Sequence, residues 1–320
     1  MSDLPKRVEI HEEGPREGFQ IEPGPISTAD KIALIEALSL TGLAHVQIAS
    51  FVNIKLVPGW ADAEAVVAGV TRRDGVHFTG LWLNEKGLLR AIATGGLDLQ
   101  GSVSNCASEA FMIRNTNRDW AKNREVQGNQ IELYKKHGIE VRRGGVMAAF
   151  GCNFEGEVPV SRVLECISET LALVAEHDVT LPVMMLADTM GWATPQSVKR
   201  VVGAVRERWP ELRVGLHLHD TRGLGIANAY AGLEMGVELF DSSVAGLGGC
   251  PFAGSNGKPA AGNVCTEDLV FLCEEMGIAT GIDLESLIAV AELAERVVGH
   301  DLPGSLMRGG SLASLRAKLN

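Results

Sequence analysis

Short runs of β-branched and other apolar residues recur along the chain, separated by longer stretches in which apolar residues return every three or four positions. The short runs predict eight strands: Val8–Glu12, His45–Ser50, His77–Leu83, Leu97–Ser104, Val141–Phe150, Val183–Asp188, Arg213–Asp220 and Leu239–Gly246. Between them, helical spacing covers Ala29–Leu40, Ala61–Val70, Trp120–Lys136, Val160–His177, Pro195–Arg208, Leu224–Met235 and Thr266–Met276. Ser27 and the Thr194-Pro195 pair stand where helices start, and Gly42, Gly138, Gly236 and Gly277 where they stop.

Regular alternation of strand and helix requires parallel pairing through crossovers. Eight such units predict a (β/α)8 TIM barrel over residues 1–281, with a C-terminal helical extension over 282–320 packed on the barrel or on a neighbouring subunit. An open, doubly wound eight-stranded sheet shares this periodicity and is the alternative. In a barrel the chemistry lies at the C-terminal ends of the strands.

That expectation selects residues. His217 and His219 flank Leu218 on the seventh predicted strand, so their imidazoles share a face and can hold one metal ion. An HxH also occurs as two polar residues closing a strand, but its place at a strand end favours the ligand reading. Glu17, in the turn after strand one, and Asn263, after strand eight, can add a carboxylate and an amide oxygen. Such a set leaves octahedral positions open and suits Mg2+ or Mn2+, with Zn2+ or Co2+ as further candidates. Arg16 can neutralise a developing enolate, and Asp188, at the end of strand six, can relay a proton. Cys250 stands in the glycine-rich run Gly246–Pro251, a context that suits a proton donor.

Composition narrows the partners. A net charge of -11 disfavours nucleic acid or an anionic membrane. The N-terminus is short and polar and no apolar run reaches membrane length, which predicts a cytoplasmic enzyme. The six cysteines have no CxxC spacing and predict neither a disulfide framework nor a zinc ribbon.

The segments Gly14–Gln20, Ser50–Val52, Ala107–Glu109, Phe150–Gly156, Asp188–Gly191, His217–Thr221, Asp241–Phe252, Gly262-Asn263 and Thr266–Asp268 together resemble the 3-hydroxy-3-methylglutaryl-CoA lyase family. The resemblance implies a homo-oligomeric (β/α)8 enzyme that cleaves a 3-hydroxyacyl-CoA to acetyl-CoA and a keto acid, with CoA entering as part of the substrate. By position it implies His217, His219 and Asn263 on the metal, Arg16 on the thioester enolate, Asp188 and His217 in proton transfer and Cys250 on a mobile loop. Gln20, Ser50 and Lys258 are expected against the CoA thioester. Three departures stand out: Glu17 replaces the family's aspartate ligand, Gln47 replaces an active-site glutamate, and Cys250–Asn263 is about four residues longer than the family pattern. They imply a different or larger acyl group. Rival readings are a condensing synthase or a keto-acid aldolase on the same barrel, and a non-catalytic metal- or CoA-binding protein. The tail after Gly281 is too short for the regulatory domain that synthases commonly carry.

Overall fold

The computed structural model describes residues 4–249, 254 and 260–319. In chain order, β1 (Glu9–Glu12) leads to α1 (Gly14–Ile21) and α2 (Thr28–Leu38), β2 (His45–Ser50) to α3 (Ala63–Gly69), and β3 (His77–Leu81) to α4 (Glu85–Thr94). Then β4 (Gly101–Cys106) precedes α5 (Glu109–Thr116) and α6 (Trp120–Lys136), β5 (Val141–Met147) precedes α7 (Val160–Glu176), and β6 (Val183–Asp188) precedes α8 (Pro195–Arg208). Last come β7 (Arg213–Leu218) with α9 (Gly225–Glu234), β8 (Leu239–Ser242) with α10 (Thr266–Glu275), and α11 (Leu284–Val298), α12 (Leu306–Gly309) and α13 (Leu312–Leu319). This is the repeat of the (β/α)8 barrel class.

The chain sorts into two compact units. In the one formed by Lys6–Asp98, Asp241–Gly249 and the chain from Ala261 onward, β1, β2 and β3 pair in parallel, with His11 opposite His45 and His45 opposite His77. Its core includes Leu34, Ile35, Val46, Ile48, Trp60 and Phe78, all fully buried. The tail belongs to this unit: Asp283 donates its N–H to the Thr41 carbonyl at 2.7 Å, and Leu287, Ala291 and Ala294 of α11 are buried.

In the other unit, built on Leu99–Phe240, β4 to β7 pair in parallel in sequential order, with Ala187 opposite His217 and Asp188 opposite Leu218. Cys106, Phe111, Cys152 and Met190 form one of its buried apolar clusters. β6 is apolar until its last residue, Asp188, as a strand of a buried parallel sheet requires.

Helix punctuation follows the sequence signals. Ser27 accepts the Asp30 N–H to cap α2, and Thr194 with Ser197 forms a reciprocal cap on α8, where Pro195 sits in the first turn. Four predicted strands end early, β3 at Leu81, β5 at Met147, β7 at Leu218 and β8 at Ser242, and β4 starts late. β5 ends where Ala148 takes φ 52°, and β8 ends before a 3-10 turn, Val244–Gly246, in which Ala245 takes φ 56°. β4 begins at Gly101, because the Asp98 carboxylate leaves the strand pattern to accept the Phe78 N–H at 2.8 Å. No helix among the described residues is long and apolar enough to cross a membrane.

Candidate active site

The chain leaves β1 through Glu13 and enters α1 at Gly14-Pro15, a start that proline's fixed φ favours. Gly14 is required for space, since a Cβ there would lie 2.5 Å from Glu12 Oε1 and 2.8 Å from Ser243 Oγ. Arg16 and Glu17 therefore ride on a helix, where the sequence reading placed Glu17 in a turn; the run of glycine and proline hid an eight-residue helix.

Helical spacing sets Arg16 three residues from Glu13, whose carboxylate accepts from Nη2, while Nε donates to Gln47 Oε1 on β2. Trp60 donates its indole N–H to the Arg16 carbonyl at 2.9 Å, fixing the backbone beneath. The Glu17 carboxylate lies 3.7 Å from Nη2. Asn263, 1 % exposed, donates its amide to Glu17 at 2.9 Å. Its Oδ1 is buried and has no hydrogen-bond partner among the described residues. A buried acceptor without a donor is costly unless a cation meets it. Gly262 and Gly248 let two loop segments meet here: a Cβ on Gly262 would lie 2.9 Å from the Gly248 carbonyl carbon.

A second group of predicted residues assembles at the ends of β6 and β7. The Nε2 atoms of His217 and His219 are 3.0 Å apart, with ring centroids 5.0 Å apart. Alternation on the strand thus aims both imidazoles the same way. Asp188 accepts the Trp192 N–H at 2.7 Å through Oδ1, whereas Oδ2 has no hydrogen-bond partner among the described residues. Burial pushes this carboxyl up to about 6, against the opposing effects of the Ala193 and Trp192 N–H groups, Arg222 and His217. It can therefore hold or release a proton near neutrality. Arg222 donates to the carbonyls of Met190 and Gly191 at 2.9 and 2.7 Å and shapes the turn that follows Asp188. Asp220 accepts the Gly225 N–H at 2.6 Å at the start of α9.

Ser50 and Gln20 face each other at 3.5 Å, from the end of β2 and from α1. Cys250 and Lys258 lie outside the described residues. The sequence reading passed over Glu12, Glu13 and Glu267, three buried acids; an acid three residues before an arginine at a helix start is the signal that marks Glu13.

The ligand chemistry fits a divalent ion. Each group by itself offers donors of the kinds that Mg2+, Mn2+, Zn2+ and Co2+ share: the His217–His219 pair in one unit, and the buried Glu17 carboxylate with the Asn263 amide oxygen in the other.

Comparison with known proteins decides the family. The HMGL-like family profile matches residues 7–294. The chain belongs to the HMGL-like family. Hydroxymethylglutaryl-CoA lyase YngG of Bacillus subtilis is 38 % identical over 299 residues, covering 93 % of this chain and 96 % of the relative. The 3-hydroxy-3-isohexenylglutaryl-CoA/hydroxy-methylglutaryl-CoA lyase of Pseudomonas aeruginosa is 38 % identical over 297 residues, covering 93 % of this chain and 95 % of the relative. Among solved structures, an HMG-CoA lyase from Acinetobacter baumannii in complex with coenzyme A and 3-methylmalate superposes with a TM-score of 0.85 at 38 % identity, covering 98 % of this chain and 97 % of that one. This HMGL-like chain thus shares its barrel fold with them along nearly its whole length.

Proposed function

We propose that this HMGL-like protein is a divalent-metal-dependent carbon–carbon lyase that cleaves a 3-hydroxyacyl-CoA of the 3-hydroxy-3-methylglutaryl-CoA class to acetyl-CoA and a keto acid. The observation that carries the reading is the His217–His219 pair, two imidazole nitrogens 3.0 Å apart at the end of β7 in a chain of this family. Glu17, His217, His219 and Asn263 are the ligands in this proposal. A bound divalent ion would supply positive charge that acidifies the substrate hydroxyl.

The rest falls to the protein's own groups. Asp188, with one carboxyl oxygen that has no hydrogen-bond partner among the described residues and a pKa raised to about 6 by burial, takes up the proton that leaves the hydroxyl, directly or through His217. As the bond between C2 and C3 breaks, electrons collect on the thioester oxygen, and the Arg16 guanidinium is the cation to receive them. Protonation of C2 completes acetyl-CoA, a step assigned to Cys250 on family resemblance. Gln20, Ser50 and Lys258 are proposed against the CoA part of the substrate.

A homo-oligomer belongs to the same proposal on family resemblance; relatives named as mitochondrial lie at similar identity. The Pseudomonas aeruginosa relative, whose name joins an isohexenyl and a methyl substrate, supports extending the proposal to acyl groups larger than methyl at C3. Incubating the purified protein and Mg2+ or Mn2+ with a panel of 3-hydroxyacyl-CoA thioesters tests it. Metal-dependent release of acetyl-CoA is expected, and no release from any member of the panel would defeat the reading.

A further inference from the structure

We infer that Glu13 is a positioning residue for Arg16, and that Glu13 and Gln47 jointly set how this guanidinium meets the substrate; the inference rests on the lyase reading for the role of Arg16. A guanidinium is a rigid plane of five donors, so two anchors in different directions fix both its tilt and its rotation. Gln47 Oε1 holds Nε and the Glu13 carboxylate holds Nη2. Among the described residues no hydrogen bond engages Nη1, which leaves that corner for an oxygen of the substrate.

Glu13 is itself held firmly. Its N–H donates to the Ser242 carbonyl and its carbonyl accepts the Glu17 N–H, each at 2.9 Å. The side chains of Arg16 and Glu13 are 12 % and 5 % exposed, so water screens the pair little.

Charge makes the arrangement particular to this sequence. Gln47 is neutral, so Glu13 supplies the carboxylate in direct contact with the guanidinium, while Glu17, at 3.7 Å, is bonded to Asn263. Without the Glu13 charge, Arg16 would turn toward Glu17, the next carboxylate, and leave its station. A glutamate at position 47 with Glu13 present would crowd a second anion onto an already paired guanidinium; the same glutamate without the Glu13 charge would replace what was lost.

The test is a double-mutant cycle of Glu13→Gln and Gln47→Glu in the metal-loaded enzyme. Glu13→Gln should lower kcat for acetyl-CoA release on the order of 10- to 100-fold, the cost typical of losing an orienting partner, with KM for the thioester little changed. Gln47→Glu should lower kcat in the wild-type background and raise it in Glu13→Gln, a reversal of sign that a merely structural role would not produce. Wild-type kcat in Glu13→Gln, or two effects that simply add, would overturn the assignment. Thermal melts of the same four proteins should show the same reversal without substrate. A wild type silent on every thioester would therefore sink the lyase reading while the melts still decide the pairing. Should Glu13→Gln not fold, Glu13→Asp, one methylene shorter, should melt cooperatively and lose kcat; wild-type turnover there overturns the inference equally.

Discussion

Glu12 and Glu267 are both 0 % exposed, yet their carboxyls are held differently. Glu12 accepts from the Gly14 and Val244 N–H groups at 2.7 and 3.0 Å and from the Thr266 hydroxyl, and burial raises it only to about 7. Glu267 accepts the Ala245 N–H at 3.0 Å, and burial pushes it up to about 8 against the effects of that N–H and its own. A raised folded-state pKa means that the native protein binds the proton more tightly than the unfolded chain. The stability this gives is complete below about pH 4.5 and is lost as pH rises through about 8. Glu267→Gln, which cannot ionise, should flatten the fall in thermal midpoint between pH 5 and 9, by an amount on the order of 3 kcal/mol; an unchanged slope would mean that Glu267 stays ionised in the fold. At the candidate metal ligands, Mn2+ should raise the midpoint of the wild type, by roughly 2.7 kcal/mol at a hundredfold excess over Kd. His217→Ala should fold, lose that metal-induced rise and lose turnover; a rise retained in full would remove His217 from the ligands. These histidines were legible because a period of two on a strand aims side chains the same way whatever surrounds them. Glu13 was not, because an acid in a Gly-Pro-rich segment reads as solvated until the fold brings Arg16 and Gln47 onto it.

At the scale of elements, boundaries set by local chemistry were readable and those set by tertiary contacts were not. α6 and α8 begin and end where apolar spacing and caps place them, because a cap or a left-handed glycine is encoded within a few residues. β8 was read too long: Val244–Gly246 has strand-like composition, but the Glu267 carboxylate claims the Ala245 N–H and bends the chain into a turn. α1 was missed for the opposite reason, since its glycines are there for space: a Cβ on Gly18 would strike Leu247 at 2.3 Å. α11 offers a direct measurement of an element's own contribution. Asp283 caps it, accepting the Glu285 and Ser286 N–H groups at 3.1 and 3.2 Å, and burial of Leu287 and Ala291 anchors the helix within its unit. Asp283→Ala should lower unfolding stability by about 1 kcal/mol in a denaturant titration without changing turnover. A loss of activity larger than the loss of folded protein would show that the tail acts on the site as well as on stability.

For the molecule as a whole, the (β/α)8 class was legible because eight strand signals alternate with helical ones, and relatives 38 % identical over 93 % of the chain share that frame. Substrate choice is not written in the frame. It rests on a few side chains whose neighbours differ, and here the structure changes what the sequence suggested for Gln47. Its Oε1 is engaged by Arg16, so the residue orients the guanidinium, and its amide nitrogen is the end left to face other groups. Glu17 is one methylene longer than the aspartate that the family resemblance implies and is tied to Asn263 at 2.9 Å, so as a proposed ligand it would offer its carboxylate to an ion from a different point. A hydroxy acid chelated there would shift with it, and a substituent at C3 would need a differently shaped pocket. We therefore predict that the wild type prefers a thioester other than 3-hydroxy-3-methylglutaryl-CoA, one with a larger or more polar group at C3. Comparing kcat/KM across thioesters that differ only in that group checks this. The preferred member should exceed the methyl compound by at least about tenfold, or roughly 1.4 kcal/mol in transition-state binding. If the methyl thioester is the best of the series, with kcat/KM on the order of 10⁴ M⁻¹s⁻¹ or above, then Glu17 and Gln47 adjust the geometry of an ordinary site and leave its specificity alone.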